Sequence, residues 1–280
     1  MKILITGATG FIGHHVVNEL LKTKNTLILT SSKKDAKVPA NTKHIPYDLN
    51  QRDVNNLFDY FGKPDLVIHL AWEGLPNYKE LFHIDKNLFN SYFFLKNLIE
   101  NGLKNLVVLG TCLEYGMQSG CLSENIETKP VTAYGLAKDI LRKLMEELQK
   151  KHKFDFKWIR LFYQYGAGQR EDSLFSQLNK ALEENRKVFN MSGGEQLKDI
   201  LEIEKVAEYV VKISLQNKET GIFNCCSGKP ISIRKFIEDY IKKKNKKIEL
   251  NLGYYPYPDF EPMAFWGNNE KMKRVIKDDI

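Results

Sequence analysis

Short apolar runs alternate with segments of helical period through the first half of the chain. The apolar runs predict buried strands at Lys2–Thr6, Thr26–Thr30, His44–Asp48, Asp65–Ala71, Asn105–Leu109 and Phe156–Leu161. The segments between them predict helices from Gly13 to about Lys22, from about Tyr78 to Asn101 and from about Thr132 to Lys150. Such alternation is typical of βαβ units. It therefore predicts a doubly wound α/β fold, in which a parallel sheet carries helices on both faces.

The pattern loosens after Phe162. Two further helices are predicted near Leu174–Glu184 and Glu204–Ser214. Proline and aromatic residues crowd the stretch Gly253–Gly267, which we expect to be irregular.

The composition narrows the class of protein. The 280 residues are 42% hydrophobic and 28% charged, which is typical of a globular chain. No stretch approaches the roughly 20 apolar residues that span a bilayer, and glycines follow the first strand too early for a signal peptide. The four cysteines, Cys112, Cys121, Cys225 and Cys226, form neither a disulfide framework nor a zinc pattern. We expect a cytoplasmic protein with reduced thiols, no metal site and no membrane insertion.

The net charge of +7 comes mostly from dispersed lysines. Residues 242–247 carry the one dense run, which we interpret as a solvated helix end that runs into a turn. A nucleic-acid patch is the alternative, but no nucleic-acid-binding motif supports it. We therefore expect no nucleic-acid partner.

A glycine-rich turn joins the first strand to the first helix. Its candidate cofactor-binding residues are Gly7, Thr9, Gly10, Phe11, Ile12 and Gly13. Glycines let backbone N–H groups approach a pyrophosphate, and the helix N-terminus adds the positive end of its dipole. A turn without a ligand would look similar, but its place at the start of a βαβ unit favours dinucleotide binding. We expect residues 1–162 to form a Rossmann-type dinucleotide-binding domain, completed by about 197–225, and residues 163–196 and 226–280 to form a smaller substrate-binding region.

The end of the second strand bears on which dinucleotide binds. A carboxylate there would accept hydrogen bonds from the adenine ribose and favour NAD. The chain instead has Thr30, Ser31, Ser32 and Lys33, whose hydroxyl and ammonium groups suit a 2′-phosphate. These four are candidate cofactor-binding residues, and they favour NADP(H) over NAD(H). Two alternatives stay open, since Asp35 could fold back towards the ribose and the lysine could simply be solvated.

A tyrosine and a lysine are the first candidates for catalysis. Tyr134 and Lys138 are spaced i and i+4, so they lie on one face of the predicted helix. A phenol has a pKa near 10, and a nearby ammonium would stabilise its phenolate. Thr111 ends the strand run NLVVLGT, and ligands of open α/β sheets lie beyond the carboxyl ends of strands. A chance surface pair for the tyrosine and lysine, and a simple strand-end cap for the threonine, are the plainer interpretations of these residues.

Together these motifs resemble the extended short-chain dehydrogenase/reductase family, the NAD(P)-dependent epimerases, dehydratases and reductases of nucleotide sugars. The resemblance covers nearly the whole chain, including GATGFIG at 7–13, TCLEYG at 111–116, RLFYQYGAGQ at 160–169 and GGEQLKD at 193–199. It implies that Thr111, Tyr134 and Lys138 are catalytic. It also implies cofactor contacts from Asp48, Leu49, Leu70, Ala71, Trp72 and Asn87, besides Tyr134 and Lys138.

The resemblance implies a nucleotide-diphosphate sugar as the substrate. The residues then expected to bind it are Trp72, Glu73, Thr111, Cys112, Tyr163, Gln164, Ser173, Leu174, Asn190, Ser192, Lys198, Tyr255 and Trp266. Two of them depart from the family pattern. Tyr163 stands where the family usually has a substrate-binding Asn, and Lys198 replaces the usual Arg, so the grip on the pyrophosphate can differ.

The resemblance also bears on the reaction. Cys112 and Leu113 replace the Asp-Glu pair of 4,6-dehydratases, so we do not expect dehydration. The segments 72–78, 189–196 and 253–267 resemble bacterial enzymes that reduce dTDP-4-keto-6-deoxyglucose in O-antigen or capsule synthesis. We therefore expect NADPH-dependent reduction of a sugar 4-keto group, with Tyr134 as the proton donor.

Two other functions stay open. An NAD-dependent nucleotide-sugar 4-epimerase would use the same three catalytic residues, and a sensor without catalysis could share the dinucleotide site. The family further implies a homodimer, in which the helices at 78–101 and 132–150 pair with their copies in a four-helix bundle.

Overall fold

Strand–helix alternation dominates the first part of the computed structural model, which describes residues 1–276. In chain order its elements are β1 (Lys2–Thr6), α1 (Phe11–Leu20), β2 (Thr26–Thr30), β3 (Lys43–His44), α2 (Leu57–Tyr60), β4 (Leu66–His69), α3 (Phe89–Glu100), β5 (Asn105–Thr111), β6 (Gly120–Leu122), α4 (Ala133–Gln149) and β7 (Asp155–Leu161). A π-helical segment, His83–Leu88, leads into α3, and a 3-10 turn, Cys112–Tyr115, follows β5.

Shorter strands are frequent in the second part. Its elements are β8 (Tyr163–Tyr165), α5 (Leu174–Glu183), β9 (Val188–Asn190), β10 (Leu197–Lys198), β11 (Ile200–Glu202), α6 (Ile203–Leu215), β12 (Gly221–Cys225), β13 (Ile231–Ser232), α7 (Ile233–Lys243), β14 (Glu249–Asn251), β15 (Phe265–Gly267) and α8 (Glu270–Ile276). Apart from β12, these strands pair two by two: β8 with β11, β9 with β14, β10 with β13, and β15 with β6. The dense lysine run begins at the end of α7 and continues into a turn, as expected.

The main sheet has seven parallel strands in the order β12-β7-β5-β4-β1-β2-β3. This confirms the doubly wound α/β fold. The strand order reverses between β1 and β4, and ligands of such sheets bind in the crevice beyond the carboxyl ends of the strands at this point.

Apolar side chains cover both faces of the sheet. Helices α1, α6 and α8 pack on one face, and α3 and α4 pack on the other. A separate small core, centred on Leu178, Phe189 and Ile237, joins α5, β9 and α7. The domain division expected from the sequence stays a prediction, and Met272 and Val275 of α8, near the end of the predicted substrate-binding region, pack into the core of the main sheet. Residues 277–280, the end of the predicted substrate-binding region, lie outside the described residues.

Three predicted elements differ in the structure. Residues 78–81 precede the helix instead of opening it, and the Tyr78 carbonyl accepts the Tyr134 N–H at 2.9 Å. The third strand is shorter than predicted because Pro46 lacks an N–H, although Ile45 and Tyr47 still donate to the chain at β2.

The tail is also more regular than expected. Its last residues form β15, which pairs in parallel with β6; of the last two helices, the sequence analysis predicted only the end of α7, and it did not identify α8. Within residues 1–276 no helix is long and apolar enough to cross a membrane.

Candidate active site

The glycine turn packs too tightly for any larger side chain. Gly7 has a φ of +66°, and a Cβ there would lie 2.7 Å from the backbone nitrogen of Ala71. A Cβ on Gly13 would lie 2.1 Å from the Gly7 carbonyl oxygen. Glycine therefore lets the end of β4 and the first turn of α1 approach the turn closely. The helix N-terminus, with its unpaired N–H groups, stands directly after this turn.

Two neighbouring cavities lie along the carboxyl ends of the strands. The first, which we call the β2 cavity, has a volume of about 230 Å3. Its lining includes Gly7, Thr9, Gly10, Ser31, Ser32, Asp48, Leu49, Leu70, Ala71, Trp72, Glu73 and Asn87. The second, the tyrosine cavity, has a volume of about 550 Å3 and includes Phe11, Ile12, Gly13, Tyr134, Tyr163, Gln164, Ser173 and Leu174. Gly7, Gly10, Leu70 and Trp72 line both, so the two form one cleft at the reversal of the strand order.

Buried polar atoms in this cleft fit a dinucleotide. Within residues 1–276, Thr30 Oγ1 and Gln164 Oε1 are buried and have no hydrogen-bond partner. Gln164 lines the tyrosine cavity, whereas Thr30 ends β2 beside Ser31 and itself lines neither cavity. Together with the glycine turn, these atoms suit a long polar ligand. Lys33 is exposed and lines neither cavity.

A histidine fixes the end of β4 beside the cleft. The Thr6 hydroxyl accepts the N–H groups of Leu70 and Ala71, each at 3.2 Å, so its own proton goes to His69 Nδ1 at 2.9 Å. Burial, with a smaller effect from Lys138, lowers the pKa of His69 to about 3. The imidazole is therefore neutral at physiological pH, with its proton on Nε2.

Tyr134 lines the tyrosine cavity, and its side chain lies beside that of Thr111. Helix α4 begins at Ala133, and the Thr132 side chain caps it by accepting the Gly135 N–H at 3.0 Å. This places Tyr134 in the first turn, where its hydroxyl lies close to the side chain of Thr111. Burial raises the pKa of Tyr134 above its ordinary value, and the Thr111 contact acts in the opposite direction.

Lys138 lies one turn further along α4, where it is 2% exposed. Its Nζ donates to the Leu109 carbonyl at 2.8 Å and lies 4.0 Å from the centre of the Trp72 ring. Burial lowers the pKa of Lys138 to about 7, while the charge of Glu114 opposes this shift. The effect expected from the sequence, an ammonium that lowers the pKa of Tyr134, stays a prediction; in the structure the amine donates to the Leu109 carbonyl.

A buried carboxylate supports the strand end behind Thr111. Glu114 is 0% exposed, and its Oε1 accepts the N–H of Thr111 and the indole N–H of Trp158, each at 2.9 Å. Its Oε2 accepts from Arg160 Nε at 2.7 Å. The Thr111 side chain in turn accepts the N–H of Leu113 at 3.2 Å, which completes a capping box.

Aromatic residues surround Tyr134. The ring centres of Trp72, Tyr78 and His83 lie 5.9, 5.6 and 5.3 Å from that of Tyr134. Trp72 donates its indole N–H to His83 Nδ1 at 3.0 Å, and Asn87 donates to the Glu73 carbonyl at 2.9 Å. The π-helical segment places His83 and Asn87 for these contacts. The tyrosine therefore sits in a rigid, largely apolar surrounding.

The predicted substrate-binding residues fall in different places. Trp72 and Glu73 line the β2 cavity, whereas Tyr163, Gln164, Ser173 and Leu174 line the tyrosine cavity. Asn190 and Tyr255 line a groove of about 840 Å3 along α5. A further set lines none of these three spaces: Thr111, Cys112, Ser192, Lys198 and Trp266. Thr111 still reaches the tyrosine cavity through Tyr134.

Lys198 is enclosed by protein groups. It is 2% exposed, and its Nζ donates to Glu261 Oε2 at 2.7 Å and to the Tyr163 hydroxyl at 3.1 Å. The ammonium predicted to take the place of the family's pyrophosphate-binding Arg is thus paired with a carboxylate of the tail. The neighbouring Asp199 accepts the N–H groups of Ser227 and Gly228 at 2.7 and 2.9 Å.

Sequence reasoning missed four residues of this site: Tyr78, His83, Glu114 and Glu261. Glu114 and Glu261 stand within motifs that had been singled out, and a carboxylate among apolar neighbours was the available signal. No comparable signal marked His83. Within residues 1–276, no group of three or more His, Cys, Asp or Glu side chains could hold a metal ion.

The sequence profile of one protein family matches most of this chain. The sequence profile described as "NAD dependent epimerase/dehydratase family" covers residues 3–226. The chain belongs to this family. The match includes the glycine turn, Thr111, Tyr134 and Lys138, and it confirms the resemblance identified from the sequence.

Relatives within the epimerase/dehydratase family are enzymes of nucleotide sugars. The dTDP-6-deoxy-L-talose 4-dehydrogenase (NAD(+)) of Aggregatibacter actinomycetemcomitans is 32% identical over 95% of this chain and 99% of its own. The dTDP-4-dehydro-6-deoxyglucose reductase of Escherichia coli is 27% identical over 89% of this chain and 83% of its own. The crystal structure of UDP-glucuronic acid 4-epimerase from Bacillus cereus, with UDP-glucuronic acid and NAD, has a TM-score of 0.82 and 25% identity, over 99% of this chain and 93% of its own.

Proposed function

We propose that this protein reduces the 4-keto group of a nucleotide-diphosphate 4-keto-6-deoxy sugar, with NADPH as the reductant. The proximity of the Tyr134 and Thr111 side chains, in the cleft that also contains the glycine turn, carries the proposal. Two relatives support it, since the names of a 4-dehydrogenase and a reductase both refer to a 6-deoxy sugar linked to dTDP.

Each of the three proposed catalytic residues has its own role in the reaction. A nicotinamide cofactor supplies the hydride in this chemistry. Because burial raises the pKa of Tyr134, its phenol stays protonated at neutral pH and donates the proton as negative charge develops on the C4 oxygen. The Thr111 hydroxyl orients the same oxygen. Lys138, whose pKa burial lowers to about 7, is about half protonated at neutral pH and provides an amine 4.0 Å from the Trp72 ring centre for the cofactor end of the cleft.

The cofactor preference rests on the end of β2. Ser31 and Ser32 line the β2 cavity, and residues 30–34 include no carboxylate that would repel a 2′-phosphate. We propose Gly7, Thr9, Gly10 and Gly13 as the residues that hold the pyrophosphate. The related 4-dehydrogenase carries NAD(+) in its name, so both dinucleotides belong in the assay.

The loss of NADPH absorbance with dTDP-4-keto-6-deoxyglucose tests the reaction. Stoichiometric oxidation of NADPH is expected. Sugar turnover without NADPH consumption would instead support a 4-epimerase, the activity named for the Bacillus cereus structure. Replacement of Tyr134 by Phe should lower kcat by about 10²–10⁴ and leave dinucleotide binding intact. Binding without turnover in the wild type would point to a sensor.

We also propose that two copies pair through α3 and α4. Phe89 and Phe93 of α3 are 44% and 40% exposed and lie one helical turn apart. Leu136, Ile140 and Leu144 continue an apolar stripe on α4 with the spacing i, i+4, i+8. A second copy would cover both faces in a four-helix bundle. We place the enzyme in the cytoplasm, in O-antigen or capsule synthesis, as the sequence predicted.

A further inference from the structure

We propose that Glu261 and Tyr163 select the sugar at this site. Together with Lys198, they give the tyrosine cavity an aromatic wall that offers no free cation. Such a wall accepts an uncharged 6-deoxy hexose and rejects a uronic acid. This inference rests on the proposed function and adds the residues that would set its preference for an uncharged 6-deoxy sugar.

Two groups from distant parts of the chain fix the Tyr163 hydroxyl. It donates to Glu261 Oε1 at 2.7 Å and accepts from Lys198 Nζ at 3.1 Å. The two charged groups also bond to each other at 2.7 Å, so the three side chains form a closed hydrogen-bonded ring. Because these contacts occupy the hydroxyl, Tyr163 presents its ring to the cavity that it lines.

The ammonium of Lys198 is paired with other groups of the protein. Its ammonium lies 4.7 Å from the ring centre of Tyr163 and 4.9 Å from that of Phe265, with Glu261 as its ionic partner. Arg170 is the only cation among the described residues that line the cavity, and it contacts Asp172 and the Leu75 carbonyl. A carboxylate at C6 of the sugar would therefore enter this wall without an unpaired cation to meet it.

The tail that supplies Glu261 also contacts a residue that lines the cavity. Phe260, the preceding residue, packs its ring 5.7 Å from that of Tyr78, which lines the cavity. Leu75 and Pro76 add apolar surface nearby. A methyl group at C5 of the sugar would gain contact with this surface, whereas a charged or hydroxylated substituent would lose hydration there.

Calorimetry with three ligands tests the selection: dTDP-6-deoxyglucose, dTDP-glucuronic acid and dTDP. The wild type should bind the 6-deoxy sugar more tightly than the uronic acid. Glu261→Gln removes the ionic partner of Lys198, so the affinity ratio should shift towards the uronic acid by about tenfold. Tyr163→Phe removes the hydroxyl that holds the ring to Glu261 and Lys198 but keeps their ion pair. It should therefore lower the affinity for the 6-deoxy sugar alone. The affinity for dTDP should change less than about twofold in both variants.

The controls are Tyr254→Phe and Glu238→Gln, which alter an exposed tail ring and an exposed ion pair. Thermal melts accompany every variant, and Tyr163→Phe keeps the test valid if Glu261→Gln does not fold. Unchanged ligand ratios in Tyr163→Phe, or a parallel loss of dTDP affinity, would overturn the selection. These affinity ratios are measured without turnover. The proposed selection of the sugar can therefore be disproved even if the ketoreduction assay succeeds. A wild type that binds none of the three ligands would overturn both proposals.

Discussion

Glu114 Oε1 accepts the backbone N–H of Thr111 at 2.9 Å, so a fully buried carboxylate holds the strand end that carries the proposed catalytic hydroxyl. The same carboxylate neutralises Arg160, whose exposed fraction is 1%. The carboxylate of Glu114 thus connects the proposed catalytic residue Thr111 with the buried Arg160 of the core. A change at Glu114 should affect both the stability of the fold and the position of Thr111.

Replacement of Glu114 by Ala should therefore lower the free energy of unfolding strongly. It leaves Arg160 buried without its partner, which costs about 3–5 kcal/mol of unfolding free energy. Urea unfolding measures this loss. Glu146→Ala is the matched control, because Glu146 pairs with Arg142 but its side chain is 41% exposed, and it should cost at most about 1 kcal/mol. Equal losses for the two variants would contradict the buried role of Glu114.

Lys138 should make stability depend on pH. Its pKa is about 7 in the folded protein and about 10.4 in the unfolded chain, so the unfolded state binds more protons between these values. Burying Lys138 therefore costs stability on the order of a few kcal/mol at pH 7 and below, and this cost disappears as the pH rises towards 10.

The variant Lys138→Met should remove that cost. Without added cofactor it should be more stable than the wild type at pH 7, and the difference should shrink as the pH increases. Urea unfolding at several pH values measures the trend. Lys143→Met is the control, since this exposed lysine has a carboxylate partner, Asp139. A difference that grows with pH would show that Lys138 is charged in the folded state.

Ser32 should control the choice of dinucleotide. Ser32→Asp places a carboxylate in the β2 cavity, where it would repel a 2′-phosphate and could accept hydrogen bonds from the ribose of NAD. We expect kcat/KM for NADPH to fall by more than about tenfold and that for NADH to rise. Ser32→Ala separates the added charge from the lost hydroxyl. A wild type that already prefers NADH would refute the assignment of this strand end.

Local patterns predicted the parts of the site that depend on neighbours in sequence. Strands buried on both faces are continuous apolar runs, and the spacing of Tyr134 and Lys138 places them on one helix face. Glu114 and Glu261 could not be placed in this way, because their partners Arg160 and Tyr163 lie 46 and 98 residues away in the chain. The predicted start of the long helix was wrong for a similar reason, because the Tyr78 carbonyl accepts a hydrogen bond from Tyr134, which is distant in the chain.

Phe93 should hold two copies of the chain together. Its ring is 40% exposed on α3, with Phe89 one turn before it and Arg52 4.0 Å above its centre. Phe93→Glu would place a charge in the apolar contact between the copies and should weaken the dimer by about 2 kcal/mol or more. Sedimentation at micromolar concentration measures the oligomeric state. Met117→Glu, at an exposed residue outside α3 and α4, should leave it unchanged. A wild type that sediments as a monomer would contradict the four-helix bundle, because the exposed phenylalanines would then have no covering partner.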